Sequence, residues 1–110
     1  MEKMINVMDV AELPADEMMS ILRQGSVLRL PYLEERLRTA QAQLQDFERR
    51  YDTTLATLLA EGLPDDADYR MHEDFIEWEH WHDVAQETEI IIANVKRILS
   101  KVGEDAGVLR

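Results

Sequence analysis

The residues best suited to chemistry lie close together between positions 73 and 82. Glu77 and His80 are three residues apart, and Glu79 and His82 repeat this spacing. On a helix such a pair shares one face, and ferritin-like di-iron proteins combine two pairs of this kind with further glutamates. Glu73 stands one turn before Glu77, so Glu73, Glu77 and His80 are candidate metal ligands. A complete site requires a symmetric dimer, and the alternative is that the histidines pair with nearby glutamates or border an interface.

Other kinds of chemistry lack the residues they need. The chain contains no cysteine, which excludes disulfides, thiolate metal sites and a cysteine nucleophile. It has no glycine-rich phosphate loop, and no serine or threonine stands in a context that would activate it. All-helical nucleotide pyrophosphohydrolases gather magnesium-binding carboxylates from several helices, whereas the acidic residues here crowd onto one. The sequence therefore predicts a protein that is not an enzyme and has no cofactor.

The charge of the chain is strongly negative and unevenly distributed. The formal net charge is −11, and the segment from Asp65 to Glu89 contains ten acidic residues and one basic residue, Arg70. Such a chain is repelled by nucleic acid and by anionic lipid. Trp78 and Trp81 are not expected to stack on bases, because stacking proteins also need a basic groove. A basic protein is the complementary partner, and an ordinary solvated helix surface is the alternative.

A small number of long helices is expected to position these residues. Glycine and proline occur only four and three times, which favours long helices over many short strands. A short helix is predicted from Pro14 to Gly25, and a second from Pro31 to about Glu61. The second helix carries apolar residues in alternating steps of three and four, the seam of a coiled coil: Leu30, Leu33, Leu37, Ala40, Leu44, Phe47, Tyr51, Thr54 and Leu58.

A third helix is predicted from about Asp68 to about Lys101. Gly62 and Pro64 stop the preceding helix, and Asp66 or Asp68 caps the new one. A short link makes the two long helices antiparallel neighbours. The predicted fold class is therefore all-α, a long antiparallel, coiled-coil-like helix hairpin with a short N-terminal helix.

The third helix carries two adjacent apolar stripes. A single facing helix covers only one of them, so the second is predicted to be covered by the N-terminal helix, a second copy of the chain or a different protein. The first stripe is Met71, Phe75, Trp78, His82, Ala85, Ile92 and Leu99, and the second is Trp81, Val84, Thr88, Ile91, Val95, Ile98 and Val102.

The chain divides into three segments in this interpretation. Residues 1–30 form an N-terminal arm and short helix, residues 31–102 the hairpin, and residues 103–110 a frayed tail. Residues 1–13 fit either a strand or a helical turn. The N-terminus lacks the features of a signal peptide, and no apolar run is long enough to span a membrane, so a cytoplasmic location without membrane contact is expected.

Four blocks of the sequence follow a recognisable pattern. They are residues 32–37 (YLEERL), 47–51 (FERRY), 61–68 (EGLPDDAD) and 77–78 (EW). Over about residues 30 to 100, this pattern resembles small prokaryotic antitoxins that are encoded beside TumE-type toxins. The resemblance implies an antitoxin that neutralises its cognate toxin by direct binding.

The chain departs from that family at two places. The family usually has Lys-Tyr-Gly where this sequence has Arg50-Tyr51-Asp52, and residues 69–75 lengthen the approach to Glu77-Trp78. The resemblance is thus one of architecture. No DNA-binding arm is expected, because Arg23 and Arg29 are the only basic residues between positions 12 and 34.

The leading hypothesis is a binding module that holds a basic protein, a cognate toxin, through the acidic start of the third helix. The residues predicted to contact the partner, or to form the core that supports the contact, are Asp74, Glu77, Trp78, Trp81 and His82. One alternative is a structural or adaptor coiled coil that forms a homodimer through its unused stripe. A less favoured alternative is a metal-dependent helical-bundle enzyme that uses Glu73, Glu77 and His80.

Overall fold

The computed structural model describes residues 6–108, apart from the side chains of Val7, Val10 and residues 104–108. The helices are α1 (Val7–Ala11), α2 (Ala15–Tyr51), α3 (Leu55–Glu61) and α4 (Tyr69–Val108), and no strand occurs among the described residues. The two long helices, α2 and α4, pack against each other as an antiparallel hairpin. The predicted all-α hairpin is therefore confirmed. No helix in the described part of the chain combines the length and apolar character needed to cross a bilayer.

The chain forms two compact units. The central unit is Tyr32–Ile92, and the terminal unit combines Met1–Pro31 with Ala93–Arg110. The central unit contains most of α2, all of α3 and the first part of α4. The terminal unit contains α1, the first part of α2 and the last part of α4.

The short helix α1 begins with a reciprocal pair of hydrogen bonds. The backbone N–H of Asp9 donates to Asn6 Oδ1 at 3.1 Å, and the backbone N–H of Asn6 donates to Asp9 Oδ2 at 3.0 Å. Each side chain thereby satisfies a backbone donor that the first turn of a helix leaves free. Of the two structures that the sequence left open for residues 1–13, residues 7–11 adopt the helical one, and residues 1–5 lie outside the described range.

Helix α2 runs without interruption through Gly25 and Pro31, so the predicted helix end at Gly25 and start at Pro31 are wrong. Gly25 has a negative φ and continues the helix, at a cost of about 1 kcal/mol relative to alanine. Pro31 deprives only the carbonyl of Val27 of its helical donor, and Val27 is exposed, so water can hydrate that carbonyl. Ser26 and Leu33, on either side of Pro31, are both buried.

The second helix was predicted to reach Glu61, and this is wrong because α2 ends at Tyr51. Asp52 takes a left-handed conformation with φ +51°, which stops the helix. Thr54 then caps α3, where its Oγ1 accepts from the N–H of Thr57 at 3.2 Å. The change of direction lets Leu55 and Leu58 join the buried cluster around Phe47 and Trp78.

The turn before α4 agrees with the sequence interpretation. Gly62 is the C-cap of α3, as predicted, and its N–H donates to the carbonyl of Leu58 at 2.7 Å. Its φ of +80° is one that glycine adopts readily, but its ψ of 169° differs from the predicted left-handed helical conformation. Asp68 is the capping aspartate, with its Oδ1 accepting from the N–H of Met71 at 2.9 Å. Helix α4 continues to Val108, so the prediction of an end near Lys101 is wrong.

The predicted seam of α2 is confirmed between Leu30 and Tyr51. Leu33, Ala40 and Phe47, seven residues apart, are fully buried, while the alternating Leu37, Leu44 and Tyr51 are half-buried. This is the pattern of two interleaved positions of a heptad that face one partner helix.

The seam of α4 draws on both predicted stripes. Trp78, Ala85 and Ile92 come from the first stripe, but Thr88 of the second is 0% exposed, with its hydroxyl donating to the carbonyl of Val84 at 2.6 Å. Val102 of the second stripe is also buried. The last part of α4, which carries Val95, Ile98 and Val102 of the second stripe, belongs to one compact unit with Met1–Pro31, so the N-terminal segment, one of the predicted covers, lies in the same unit as this part of the stripe. Ile91 of the same stripe is 39% exposed.

Candidate protein-binding site

Asp74 joins the end of α2 to α4 inside the central unit. Its carboxylate accepts from Arg50 Nη1 at 2.8 Å and from the Tyr51 hydroxyl at 2.5 Å. The aspartate is buried, and Arg50 also bonds Asp46 one turn earlier at 3.0 Å. A buried carboxylate with two charge-assisted donors is satisfied rather than available to a partner.

Trp78 lies one turn after Asp74 and is 1% exposed. Its indole stacks on Phe47 with ring centroids 5.6 Å apart and on Tyr51 at 6.1 Å. The Arg50 guanidinium lies over the Phe47 ring, 5.1 Å from its centroid. Because Trp78 is almost fully buried and stacks on two aromatic rings, it is a core residue. We call this contact between the end of α2 and the start of α4, formed by Phe47, Arg50, Tyr51, Asp74 and Trp78, the junction.

The electrostatics of the junction follow from these contacts. The hydrogen bond from Tyr51, assisted by Arg50, holds the pKa of Asp74 below its ordinary value, although burial opposes this. Burial and the Asp74 carboxylate raise the pKa of Tyr51, and the hydrogen bond to Asp74 raises the pKa of Arg50. The junction is therefore a charged pair with a neutral phenol at neutral pH.

These contacts place two of the five predicted interface residues, Asp74 and Trp78, in the supporting core. The sequence blocks around Phe47 and Tyr51 meet the block around Trp78 here, although 24 residues separate Arg50 from Asp74. Arg50 and Tyr51 were not predicted to belong to the site. The aromatic and arginine block at the end of a heptad seam was the signal that could have identified them.

The outward side of α4 in the central unit is an exposed surface of mixed acidic and apolar residues, which we call the acidic face. Its members are exposed residues of α4 outside the buried seam, with Glu77 at the edge of the seam: Tyr69, Glu73, Ile76, Glu77, His80, Asp83, Glu87 and Ile90. Ile76 is 67% exposed, with Glu73 one turn before it and His80 one turn after. Large apolar side chains are thus surrounded by carboxylates.

The carboxylates of the acidic face lack cationic partners. Within residues 6–108, Asp74 is the only acidic residue of the segment from Asp65 to Glu89 that pairs with an arginine or lysine. Asp83 approaches His82 Nδ1 at 3.7 Å, and the Tyr69 hydroxyl bonds Glu73, which raises the pKa of that tyrosine. The negative charge of this surface is therefore not neutralised within the described chain.

A groove between α2 and α4 adjoins the acidic face at His80. It is an open depression of about 480 Å³, and its lining comprises Tyr32, Glu35, Arg36, Thr39, His80, Trp81 and Val84. The His80 ring meets the Trp81 ring edge-on, with centroids 5.3 Å apart. Trp81 Nε1 is buried and has no hydrogen-bond partner within the described chain, which is uncommon for an indole donor. We call this depression the Trp81 groove.

The remaining predicted residues fall on or beside these surfaces. Glu77 is exposed on the acidic face, Trp81 lines the groove, and His82 is half-buried beside Asp83. Glu73, Glu77 and His80 are all exposed, and no group of three His, Asp or Glu side chains that could hold a metal ion occurs in the described part of the chain. The candidate metal ligands are thus not assembled into a site by the single chain.

Comparison with protein-family models, with curated proteins and with solved structures finds no match for this chain.

Proposed function

We propose that the protein is a non-enzymatic binding module whose acidic face holds a basic surface of a partner protein. In keeping with the resemblance of residues 30 to 100 to the antitoxins of TumE-type pairs, we infer that the partner is a cognate toxin encoded beside it. The proposal rests mainly on one observation, that the exposed carboxylates of the acidic face have no arginine or lysine partner among the described residues.

Charge supports this assignment of the partner. Sixteen acidic and five basic residues lie in Tyr32–Ile92, so this unit accounts for the whole net charge of −11. A field of this kind accelerates encounter with a basic protein and disfavours acidic competitors. A toxin that acts on RNA presents basic surface to the phosphate backbone, and the acidic face would occupy that surface in place of RNA.

The apolar residues of the acidic face would provide binding affinity that charges alone do not. Charges at the rim of an interface act mainly on association rate and specificity, whereas buried apolar and aromatic anchors provide most of the affinity. Ile76 and Ile90 project from the acidic face, and Trp81 and Tyr32 line the adjoining groove.

Co-expression with the product of the adjacent reading frame tests the proposal. We expect that product to arrest growth when it is expressed alone, growth to recover when both are expressed, and the two proteins to copurify. A neighbouring product that is harmless alone, or that does not copurify, would contradict the assignment of a cognate toxin.

A matched pair of substitutions tests the acidic face itself. Glu87→Lys lies on the acidic face, whereas Glu48→Lys reverses a charge on an exposed position of α2, and each new lysine has an aspartate four residues away, Asp83 or Asp52. We expect Glu87→Lys to raise the Kd for the partner by about tenfold, chiefly through a slower association rate, because rim charges act on encounter. Glu48→Lys should leave the Kd almost unchanged, and equal effects of the two substitutions would remove the acidic face from the proposal.

A further inference from the structure

The terminal unit has a surface of different character. Six of the twelve large hydrophobic side chains that are exposed among the described residues belong to it, and they are Met8, Leu13, Ile21, Leu22, Val27 and Leu28. Ile21 is 52% exposed and Leu28 is 79% exposed. Single exposed apolar side chains are normal, so the informative ones are those that share one side of a helix.

Ile21 and Leu28 lie on the side of α2 opposite its buried seam. They are seven residues apart, with Gln24 and Gly25 between them on the same side of the helix. In the same part of α2 the buried residue is Ser26, which faces the interior of the unit. The residues Ile21, Gln24, Gly25 and Leu28 therefore form a second, outward seam with coiled-coil spacing, which we call the outer seam of α2.

Gly25 adds a gap to this seam. It is exposed, and a Cβ placed on it would meet no other atom within 4 Å. Packing within the chain therefore does not require glycine here, although glycine inside a helix costs stability. The bare backbone between Ile21 and Leu28 leaves room for a side chain of an opposing helix to approach closely.

The charge of the terminal unit permits a second copy of the chain to cover the outer seam. Residues 1–31 and 93–110 contain seven acidic and seven basic residues, so the terminal unit has a formal net charge of zero. Two copies can approach each other at this unit without the repulsion that the central unit, at −11, imposes on a second central unit. A basic partner, in contrast, has no electrostatic reason to select it.

We propose that the protein forms a homodimer in which the outer seam of α2 packs against the same seam of a second copy. The contact is isologous, since the same patch contributes from both chains, and Ile21 and Leu28 of each copy lie at its centre. The outer seam and the acidic face share no residue, so substitutions in one leave the side chains of the other unchanged.

Light scattering of the full chain with site-specific variants tests the dimer. We expect a molar mass of about twice 12.8 kDa at high micromolar concentration, and a rise of at least about tenfold in the dimer Kd for Leu28→Glu and for Ile21→Glu. Far-UV circular dichroism of each variant should match that of the parent, because both positions are exposed. Ile76→Glu, at an exposed isoleucine of the acidic face, is the matched control and should leave the dimer intact.

Three results would overturn the proposal: a single-chain mass at every concentration, a dimer that neither Leu28→Glu nor Ile21→Glu weakens, or a dimer that Ile76→Glu abolishes. Salt separates this contact from partner binding. Added salt should leave a contact between two neutral apolar surfaces intact, whereas it should weaken the complex with a basic partner. Leu28→Glu should retain the affinity for that partner.

Discussion

At the scale of single residues, Asp74 has the most consequential position in the chain. It is a buried carboxylate that both hydrogen-bonds a phenol and pairs with a guanidinium, and it stands one turn from the stacked Trp78. The residue is acidic like its neighbours on α4, yet its role is opposite to theirs. Glu73 and Glu77 give the helix its exposed charge, while Asp74 fixes the helix to the end of α2.

Asp74 should make part of the free energy of unfolding depend on pH in the acidic range. Its pKa is lowered in the folded state by Tyr51 and Arg50, so its contribution is fully present above the unfolded value of about 4 and is lost as the pH falls through the lowered folded value. We expect Asp74→Asn to reduce the free energy of unfolding at pH 7 by about 1–3 kcal/mol and to flatten the loss of stability below pH ~4.

Urea unfolding of the parent and of Asp74→Asn between neutral pH and pH ~3 would measure this difference. Asp83→Asn, which changes an exposed aspartate of the acidic face, is the control and should keep the acid-dependent loss. If the parent and Asp74→Asn lost stability in parallel as the pH falls, Asp74 would not be the cause of the acid-dependent loss.

At the scale of helices, the largest differences between sequence and structure concern where a helix stops. Gly25 was interpreted as the end of one helix and Pro31 as the start of the next, but both lie inside α2, whereas Gly62 does end α3 as predicted. The actual stop is Asp52, which takes the left-handed conformation for which glycine is usual.

Asp52→Gly should therefore stabilise the protein. The left-handed conformation costs a non-glycine residue about 1–2 kcal/mol, and the greater freedom of glycine in the unfolded chain offsets part of the gain. We expect a net increase of about 0.5–1 kcal/mol in the free energy of unfolding, measured by urea denaturation. Asp52→Ala is the matched control, because it removes the same carboxylate but keeps the Cβ, and it should not stabilise; equal stabilisation by both would attribute the effect to charge.

The seam of α2 could be predicted from the sequence, but the break that separates α2 from α3 could not, and both outcomes have physical reasons. Alternating steps of three and four report directly on which residues face a neighbouring helix, so Leu33, Ala40 and Phe47 were assigned correctly. The break at Asp52 depends on one backbone torsion angle that aspartate adopts uncommonly. The junction depends on a contact across 24 residues between Arg50 and Asp74, and a periodicity within one helix contains no information on such a pair.

At the scale of the whole molecule, charge is separated along the chain. The central unit carries all of the net negative charge, and the terminal unit is neutral. Three pairs of acidic residues stand four positions apart on α4: Glu73 with Glu77, Glu79 with Asp83, and Asp83 with Glu87. Like charges at this spacing destabilise a helix by about 0.2–0.5 kcal/mol per pair.

Salt should consequently stabilise this protein. Screening of the three pairs would recover about 1 kcal/mol, which corresponds to a rise of several degrees in Tm for a chain of this size. Thermal unfolding in increasing sodium chloride would measure the effect, and Glu87→Gln, which removes one of the pairs, should reduce it. A Tm that falls with salt would mean that ion pairs such as Arg50 with Asp74 outweigh the repulsion.

The two tryptophans differ in a way that has a practical consequence. Trp78 is enclosed between Phe47 and Tyr51, whereas Trp81 borders an open groove and contacts the His80 ring. The fluorescence of the protein therefore has two sources. Emission from the buried Trp78 reports on folding, whereas the emission wavelength and quenching of the half-buried Trp81 should respond to a molecule that enters the groove. The chain contains its own optical reporter for occupancy of the groove, and no chemical label needs to be attached to read it.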